Sequence, residues 1–420
     1  MTRIRVSDNG RFLQYECGSP FFYLGDTAWE LFHRLSRDEA GHYLSVRARQ
    51  RFTVVQAVAL AEQQFDQPNP YGDLPLLHND PAQPNDRYFQ HVDWVVARAA
   101  DLGLTVALLP TWGDKWNRKW GGGPEIFTPD NAHAYGRWLG TRYCEAPLIW
   151  VLGGDRPIET PAHLEIVRAM AAGLREGDGG VHLMTFHPCG QHTSAQWLHD
   201  EPWLDFNMLQ SGHTFDRDNW RSVADDYARC PVKPCMDGEP GYEDHPSGFE
   251  PANGYLDAAQ ARKFAYWALF AGAHGHTYGC HSVWQMWEPG REPITAARIP
   301  WREALHLPGA DQMRHVRALM ESRPFLTRVP DQLLVTTPPG DGPEHVAATR
   351  DAEGRYAFVY LPLGGEVALD RSRMSSANLR AQWFDPRTGA TLPCEAPEDG
   401  PVYRSPSDGD DWVLVVDAAP

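Results

Sequence analysis

The sequence predicts an α/β fold, a closed (β/α)8 TIM barrel followed by a small antiparallel β-sandwich. Three features carry this expectation. Eight short apolar runs alternate with helical stretches up to residue 324, the pattern then changes to strands alone, and 420 residues suit a barrel of about 250 residues with an appended domain. The runs are continuously apolar rather than alternating, as parallel strands covered on both faces must be.

The chain opens on IRVSDNGRFLQYE, which reads as a hairpin turning at Asn9-Gly10 and plugging the N-terminal end of the barrel. The eight strand runs are FFYLGDTAW from Phe21, FTVVQAVAL from Phe52, LTVALLPTW from Leu104, PLIWVLGGD from Pro147, HLMTFHPCG from His182, LDFNMLQSGH from Leu204, KPCMDGEP from Lys233 and HGHTYGCHSVW from His274. Between them, Ser36 and Glu39 have capping-box spacing, and Phe89, Val92, Val96 and Ala99 share a helical face that Gly103 ends. Thr160-Pro161 starts a helix that Gly177 is expected to stop, Asp257 starts another, and weaker patterns cover 131–143, 217–229 and 309–322. Residues 1–324 are therefore assigned to the barrel. In residues 325–420 the runs QLLVTT, HVAATR, YAFVYLP, EVALD, LRAQWFDP and DWVLVVD form the expected sandwich.

Composition narrows the function. With 38 basic against 55 acidic residues and a net charge of −17, the surface repels phosphate backbones, which excludes nucleic acid as a partner. No run reaches the ~20 apolar residues that span a bilayer, and MTRIRVSDNG lacks a leader's apolar stretch, so no membrane partner and a cytoplasmic location are expected. Seven cysteines without C-x-x-C spacing read as free thiols. The sequence leaves the oligomeric state open, a homo-oligomer included. Sixteen Trp and fifteen Tyr exceed the needs of a core, and several stand beside Gly and Asp in loops, where flat apolar rings suit the C–H faces of sugars.

Barrel enzymes react at the C-terminal ends of their strands. Those ends supply Asp26 and Trp29 from the first strand; Trp112, Asp114 and Lys115 from the third; Asp155 and Arg156 from the fourth; His187 from the fifth; Gln210 and His213 from the sixth; Glu239 from the seventh; and Tyr278 and Trp284 from the eighth. Such a rim can bond many hydroxyls while stacking on ring faces. Hydrolysis of a glycosidic bond needs two carboxyl groups, one to protonate the leaving oxygen and one to attack or to activate water. Asp155 and Glu239 follow glycines at opposite sides of the barrel mouth and are the catalytic pair expected here; the others are expected to bind substrate, and Asp237 is read as structural. A metal-dependent barrel hydrolase would carry an H-x-H pair at the end of the first strand, where this chain has Gly25-Asp26-Thr27-Ala28. His274 and His276 have that spacing but start the eighth strand, at the wrong end, so neither metal nor cofactor is expected. The remaining alternative, a non-catalytic sugar-binding barrel, would share every feature but the carboxylate pair.

At these residues the chain resembles the apiosidase-like enzymes of glycoside hydrolase family 140, the DUF4038 proteins with a C-terminal "collagen-binding" domain. The likeness covers nearly the whole chain and is carried by FFYLGDTAWELFHRL, NPYGDLP, YFQHVDWVVARAADLGL, LLPTWGDKWN, IWVLGGDRP, MTFHPCG, WLDFNMLQSGH, DGEPGYED, YWALFAGAHGHTYG and SVWQMW. It implies a retaining mechanism with Asp155 of GGD as acid/base and Glu239 of DGEP as nucleophile. The activity characterised in that family removes apiose, a branched furanose, from a pectic side chain; without a leader, this chain is expected to act on a smaller imported glycoside. The acidic sandwich is expected to brace the barrel.

Further expectations concern the mouth. Long loops after the second, third and seventh strands should close it into an exo-acting pocket. Asp155, facing an ionised Glu239, should hold its proton near neutral pH, with Arg156 pointing away.

Overall fold

The computed structural model describes residues 3–63, 65–394 and 402–419. Eight parallel strands form the barrel: β1 (Tyr23–Thr27), β2 (Val54–Val58), β3 (Thr105–Leu109), β4 (Leu148–Gly153), β5 (Met184–His187), β6 (Asn207–Gln210), β7 (Cys235–Asp237) and β8 (Gly275–Tyr278). Each pairs with its sequence neighbours except β5 with β6, and β8 pairs with β1, Tyr278 opposite Asp26. At the seam between β5 and β6 the Asp205 N–H donates to the Met184 carbonyl at 2.9 Å and Thr185 Oγ1 to the Phe206 carbonyl at 2.7 Å. A two-residue strand, His192–Thr193, runs antiparallel on the outer edge of β6.

The continuous apolar runs have their expected consequence, since every residue of β2, β3 and β4 is buried. The hairpin forms as read, with Ile4–Val6 against Leu13–Tyr15 and Gly10 at φ 70°. Its Leu13 joins Tyr23, Val54, Phe206 and Met236 in a cluster at the N-terminal end of the barrel, where Ile4, Val6 and Tyr15 also pack.

Among the described residues seven longer helices cover the barrel: α1 (Arg37–Arg49), α2 (Asp86–Asp101), α3 (Pro129–Tyr143), α4 (Pro161–Asp178), α5 (Asn219–Tyr227), α6 (Ala258–Phe270) and α7 (Pro308–Glu321). Ser36 and Glu39 make the capping box, and Thr160 and Asp257 cap α4 and α6. Gly177 does not stop α4, which continues to Asp178 and ends at the left-handed Gly179, φ 72°. Gly177 instead serves packing: a Cβ there would stand 2.3 Å from the Arg137 carbonyl, and one at Gly140 2.4 Å from that of Leu174, so α3 and α4 cross at backbone contact. No helix among the described residues is long and apolar enough to cross a membrane.

Beyond α7, six strands among the described residues form one antiparallel sheet in the order Arg328–Pro330, Ala347–Asp351, Tyr356–Leu361, Trp412–Ala418, Leu379–Phe384, Thr391–Pro393. Glu366–Ala368 and Val402–Arg404 pair in a second, smaller sheet. QLLVTT is not a strand. Gln332–Leu334 is a 3-10 turn that puts Leu334 into the sandwich core and leaves Leu333 73% exposed, while the edge strand is the preceding Arg328–Pro330.

The outer face of the large sheet lies on α6. Tyr266 stacks on Tyr360 with ring centroids 4.8 Å apart, Phe270 on Phe358 at 6.1 Å, and Arg262 makes a buried bidentate pair with Asp411 at 2.8 and 2.7 Å. The Arg328 guanidinium donates to the carbonyls of Leu269 and Ala273 at the end of α6.

Candidate active site

The end of β4 is built by backbone freedom. Gly153, Gly154 and Asp155 take φ values of 90°, 110° and 52°, a run that only glycine adopts without strain. A Cβ at Gly153 would lie 2.4 Å from the His187 carbonyl, and one at Gly154 2.9 Å from the Trp112 indole. Asp155 is the non-glycine residue of the three, and Arg156 Nη1 donates to its carbonyl at 3.0 Å. Across the mouth, Gly238 packs where a Cβ would strike Met208 at 2.5 Å; its carbonyl accepts from Gln56 Nε2 at 2.9 Å, a bond through the barrel interior that fixes the base of Glu239. Asp237 turns outward and accepts from Ser211 Oγ at 2.7 Å and Asn219 Nδ2 at 2.9 Å.

Two imidazoles grip Glu239. His187 Nε2 stands 2.8 Å from Oε2, and His213 Nε2 3.1 Å from Oε1. His187 is itself walled by Trp29 and Trp112, with ring centroids at 5.3 and 5.6 Å, and His213 lies between Tyr242 at 4.3 Å and His245 at 4.4 Å. Tyr242 fits only because Gly279 lacks a side chain, since a Cβ there would sit 2.0 Å from its ring.

This geometry drives the two carboxyls apart. Burial opposes ionisation of Glu239, but the His187 and His213 contacts outweigh it and hold the group far below the usual carboxylate range. Asp155 moves the other way, up to about 7, through desolvation by the pocket walls, then the charge of Glu239, then that of Glu62. A third of the Asp155 side chain remains open to the cavity, so the proton it holds is accessible. Below about pH 7 a protonated Asp155 thus shares the site with an ionised Glu239.

They share a cavity of about 610 Å³ that receives residues from all eight strand ends. Of the residues expected from sequence, Trp29, Trp112, Asp155, Gln210, His213, Glu239 and Trp284 line it. His187 stands behind Glu239 rather than on the wall. Five others do not reach the cavity as substrate ligands. Asp26 is fully buried against Arg47 Nε at 2.7 Å and Tyr43; Asp114 and Lys115 pair with each other at 2.6 Å, and Asp114 also accepts the Gly123 N–H to anchor the third loop; Tyr278 donates to Glu243 at 2.5 Å. Arg156 is 1% exposed and differs from expectation again, because it does not point away from Asp155: Nη1 lies 3.5 Å from Oδ2, while Nη2 pairs with Glu62 at 2.5 Å. His274 packs in the barrel interior against Tyr23 and Phe206. Among the described residues no group of three His, Cys, Asp or Glu is placed to hold a metal ion.

Sequence reasoning missed Glu30, Glu62, Trp120, Arg217, Tyr242, His245 and Phe249 on the cavity wall. Tyr242 and His245 follow DGEP so closely that the strand end signalled them; Glu62 stands where nothing did. The loop after β2 also departs from expectation. Among its described residues only Ala61, Glu62 and Gln63 reach the cavity, and further along Tyr71 lies on the outer helices, where its Oη accepts the Arg37 N–H at 2.8 Å.

Comparison with known proteins agrees with this geometry. The family described as "Apiosidase-like, catalytic domain" matches residues 7–327, and the "Putative collagen-binding domain of a collagenase" matches residues 329–417. A solved structure named "Glycoside hydrolase" is 34% identical, with a TM-score of 0.91 over 100% of this chain and 97% of its own. A glycoside hydrolase family 5 structure from Bacteroides vulgatus ATCC 8482 is 32% identical, with a TM-score of 0.90 over 99% of this chain and 94% of its own. A comparison with curated proteins found no match.

Proposed function

We propose that this chain, which belongs to the apiosidase-like family and is a glycoside hydrolase, is a retaining exo-glycosidase that releases a terminal furanose from a glycoside or oligosaccharide. Asp155 is the acid/base and Glu239 the nucleophile. The observation that carries this reading is that Glu239, held by two imidazoles at 2.8 and 3.1 Å, and Asp155 line one cavity in surroundings that push their ionisation in opposite directions. In the first step the Glu239 carboxylate attacks the anomeric carbon while Asp155 passes its proton to the leaving oxygen. In the second, the Asp155 carboxylate takes a proton from water, which displaces the sugar from Glu239. The two imidazoles favour the carboxylate that attacks, and they also stabilise the group that leaves in the second step.

Exo action is supported by walls from every strand end around a cavity large enough for a terminal sugar and part of its neighbour. Trp120 and Phe249, 57% and 63% exposed on its rim, offer apolar faces to the leaving group. The furanose preference rests on the family. A panel of aryl furanosides and pyranosides tests it: release from furanosides alone supports the reading, release from pyranosides alone rejects the furanose assignment, and release from neither rejects it as a hydrolase of simple glycosides.

A further inference from the structure

Two buried cations follow β3 and β4, and Arg156, the one beside Asp155, is shared between Glu62 and Asp155. Lys115 Nζ pairs with Asp114 at 2.6 Å, and Arg156 Nη2 with Glu62 at 2.5 Å. The Arg156 side chain has little freedom. Its stem fills the space left by Gly113, where a Cβ would meet Arg156 Cβ at 2.7 Å; its Nη1 holds the Asp155 carbonyl at 3.0 Å; and its Nη2 also reaches the Gly121 carbonyl at 3.3 Å. From that position Nη1 makes an ion pair of 3.5 Å with Asp155 Oδ2, too long for a charge-assisted hydrogen bond, and a small swing would shorten it and hold the acid/base as a carboxylate.

We propose that Glu62 is a positioning residue for the acid/base: by engaging Nη2 it keeps the Arg156 guanidinium from closing its long ion pair with Asp155 into a hydrogen bond, leaving Asp155 able to hold and deliver a proton. The inference rests on the reading of Asp155 as the acid/base. The groups that face Asp155 are Glu239 from β7, His187 from β5, Cys189 from the loop after β5, Glu62 from the loop after β2, and Arg156 beside it. Glu239 and Glu62 favour its neutral form, whereas His187 and Arg156 favour the charged one. Glu62 therefore acts twice in the same direction, through its own charge and by occupying Arg156. Arg156 remains useful in that arrangement because it secures the left-handed backbone at Asp155.

The test is kcat/KM against pH for the full chain, Glu62→Gln and Arg156→Gln, with a 4-methoxyphenyl glycoside, whose departure needs a proton, and a 2,4-dinitrophenyl glycoside, whose departure does not. Both carry the sugar identified in the panel. In Glu62→Gln the basic limb for the methoxyphenyl substrate should move down by about one pH unit, a roughly tenfold loss above it. In Arg156→Gln it should move up, and the dinitrophenyl profile should shift in neither. A loss in Glu62→Gln by one factor at every pH, or shifts of the same sign in both variants, would overturn the inference. Should Glu62→Gln not fold, Glu62→Ala carries the test: a downward shift of the basic limb there supports the inference, and an unmoved limb overturns it. Asp155→Asn separates the two levels: a basic limb that survives in it refutes the acid/base reading itself, whereas a limb lost there yet unmoved in Glu62→Gln refutes only the role of Glu62.

Discussion

Replacing Asp155 by Asn should make the protein a poorer catalyst and a more stable one. An Asp whose folded pKa is raised to about 7 binds its proton more tightly in the folded than in the unfolded chain, where the value is about 3.9. Its contribution is therefore fully present below about pH 4 and is lost as pH rises towards 7, since the folded state then holds an unfavourable buried charge. The full shift corresponds to about 4 kcal/mol. With a third of the side chain open to the cavity, screening leaves roughly half of it, about 2 kcal/mol. Asn carries no charge to desolvate. At an unfolding entropy of ~2 cal/mol/K per residue, the gain at pH 8 is a rise of about 2 °C in Tm, shrinking to nothing near pH 4. Tryptophan fluorescence melts across that range measure it. In the same variant kcat/KM should fall by about 10²–10⁴ on a poor leaving group and far less on dinitrophenolate. An Asn variant with the same Tm difference at pH 4 and pH 8 would refute the raised pKa, and an equal loss on both substrates would refute the acid role.

His213→Phe keeps the ring between Tyr242 and His245 but removes the nitrogen 3.1 Å from Glu239; losing a charge-assisted bond of about 1.5–3 kcal/mol should raise the acidic limb of kcat/KM by about one to two pH units and leave the basic limb in place, as the pH–rate profile will show. Arg262→Ala strands the buried Asp411 carboxylate between barrel and sandwich and should cost about 3–5 kcal/mol, seen as a Tm lower by several degrees with kcat/KM at 25 °C unaltered; an unchanged Tm would remove the bracing role of the C-terminal sheet.

The strand ends were readable because parallel buried strands leave a plain trace, and GGD and DGEP stand where a barrel places its chemistry. What the trace does not tell is which way a strand-end side chain points. Asp26 and Asp155 both follow a glycine at a strand end, yet Asp26 turns outward to Arg47 on α1 while Asp155 turns in. Neighbouring pairs such as Asp114-Lys115 look like a binding rim in sequence but fold as a closed ion pair that uses a backbone N–H of its own loop. Glu62 escaped notice because its role depends on Arg156, 94 residues away. QLLVTT misled because a short apolar run suits a 3-10 turn with one buried leucine as well as it suits an edge strand.

The most direct test of the mechanism is to trap the sugar on the enzyme. A 2-deoxy-2-fluoro glycoside with a dinitrophenyl leaving group slows the second step more than the first, so incubation followed by peptide mass spectrometry reads the attacking residue. The expected result is one glycosyl ester per chain, on the peptide holding Glu239 and absent from Glu239→Gln. An enzyme that turns over the unfluorinated substrate, forms no ester and releases the inverted anomer in its first turnovers would contradict the nucleophilic role of Glu239.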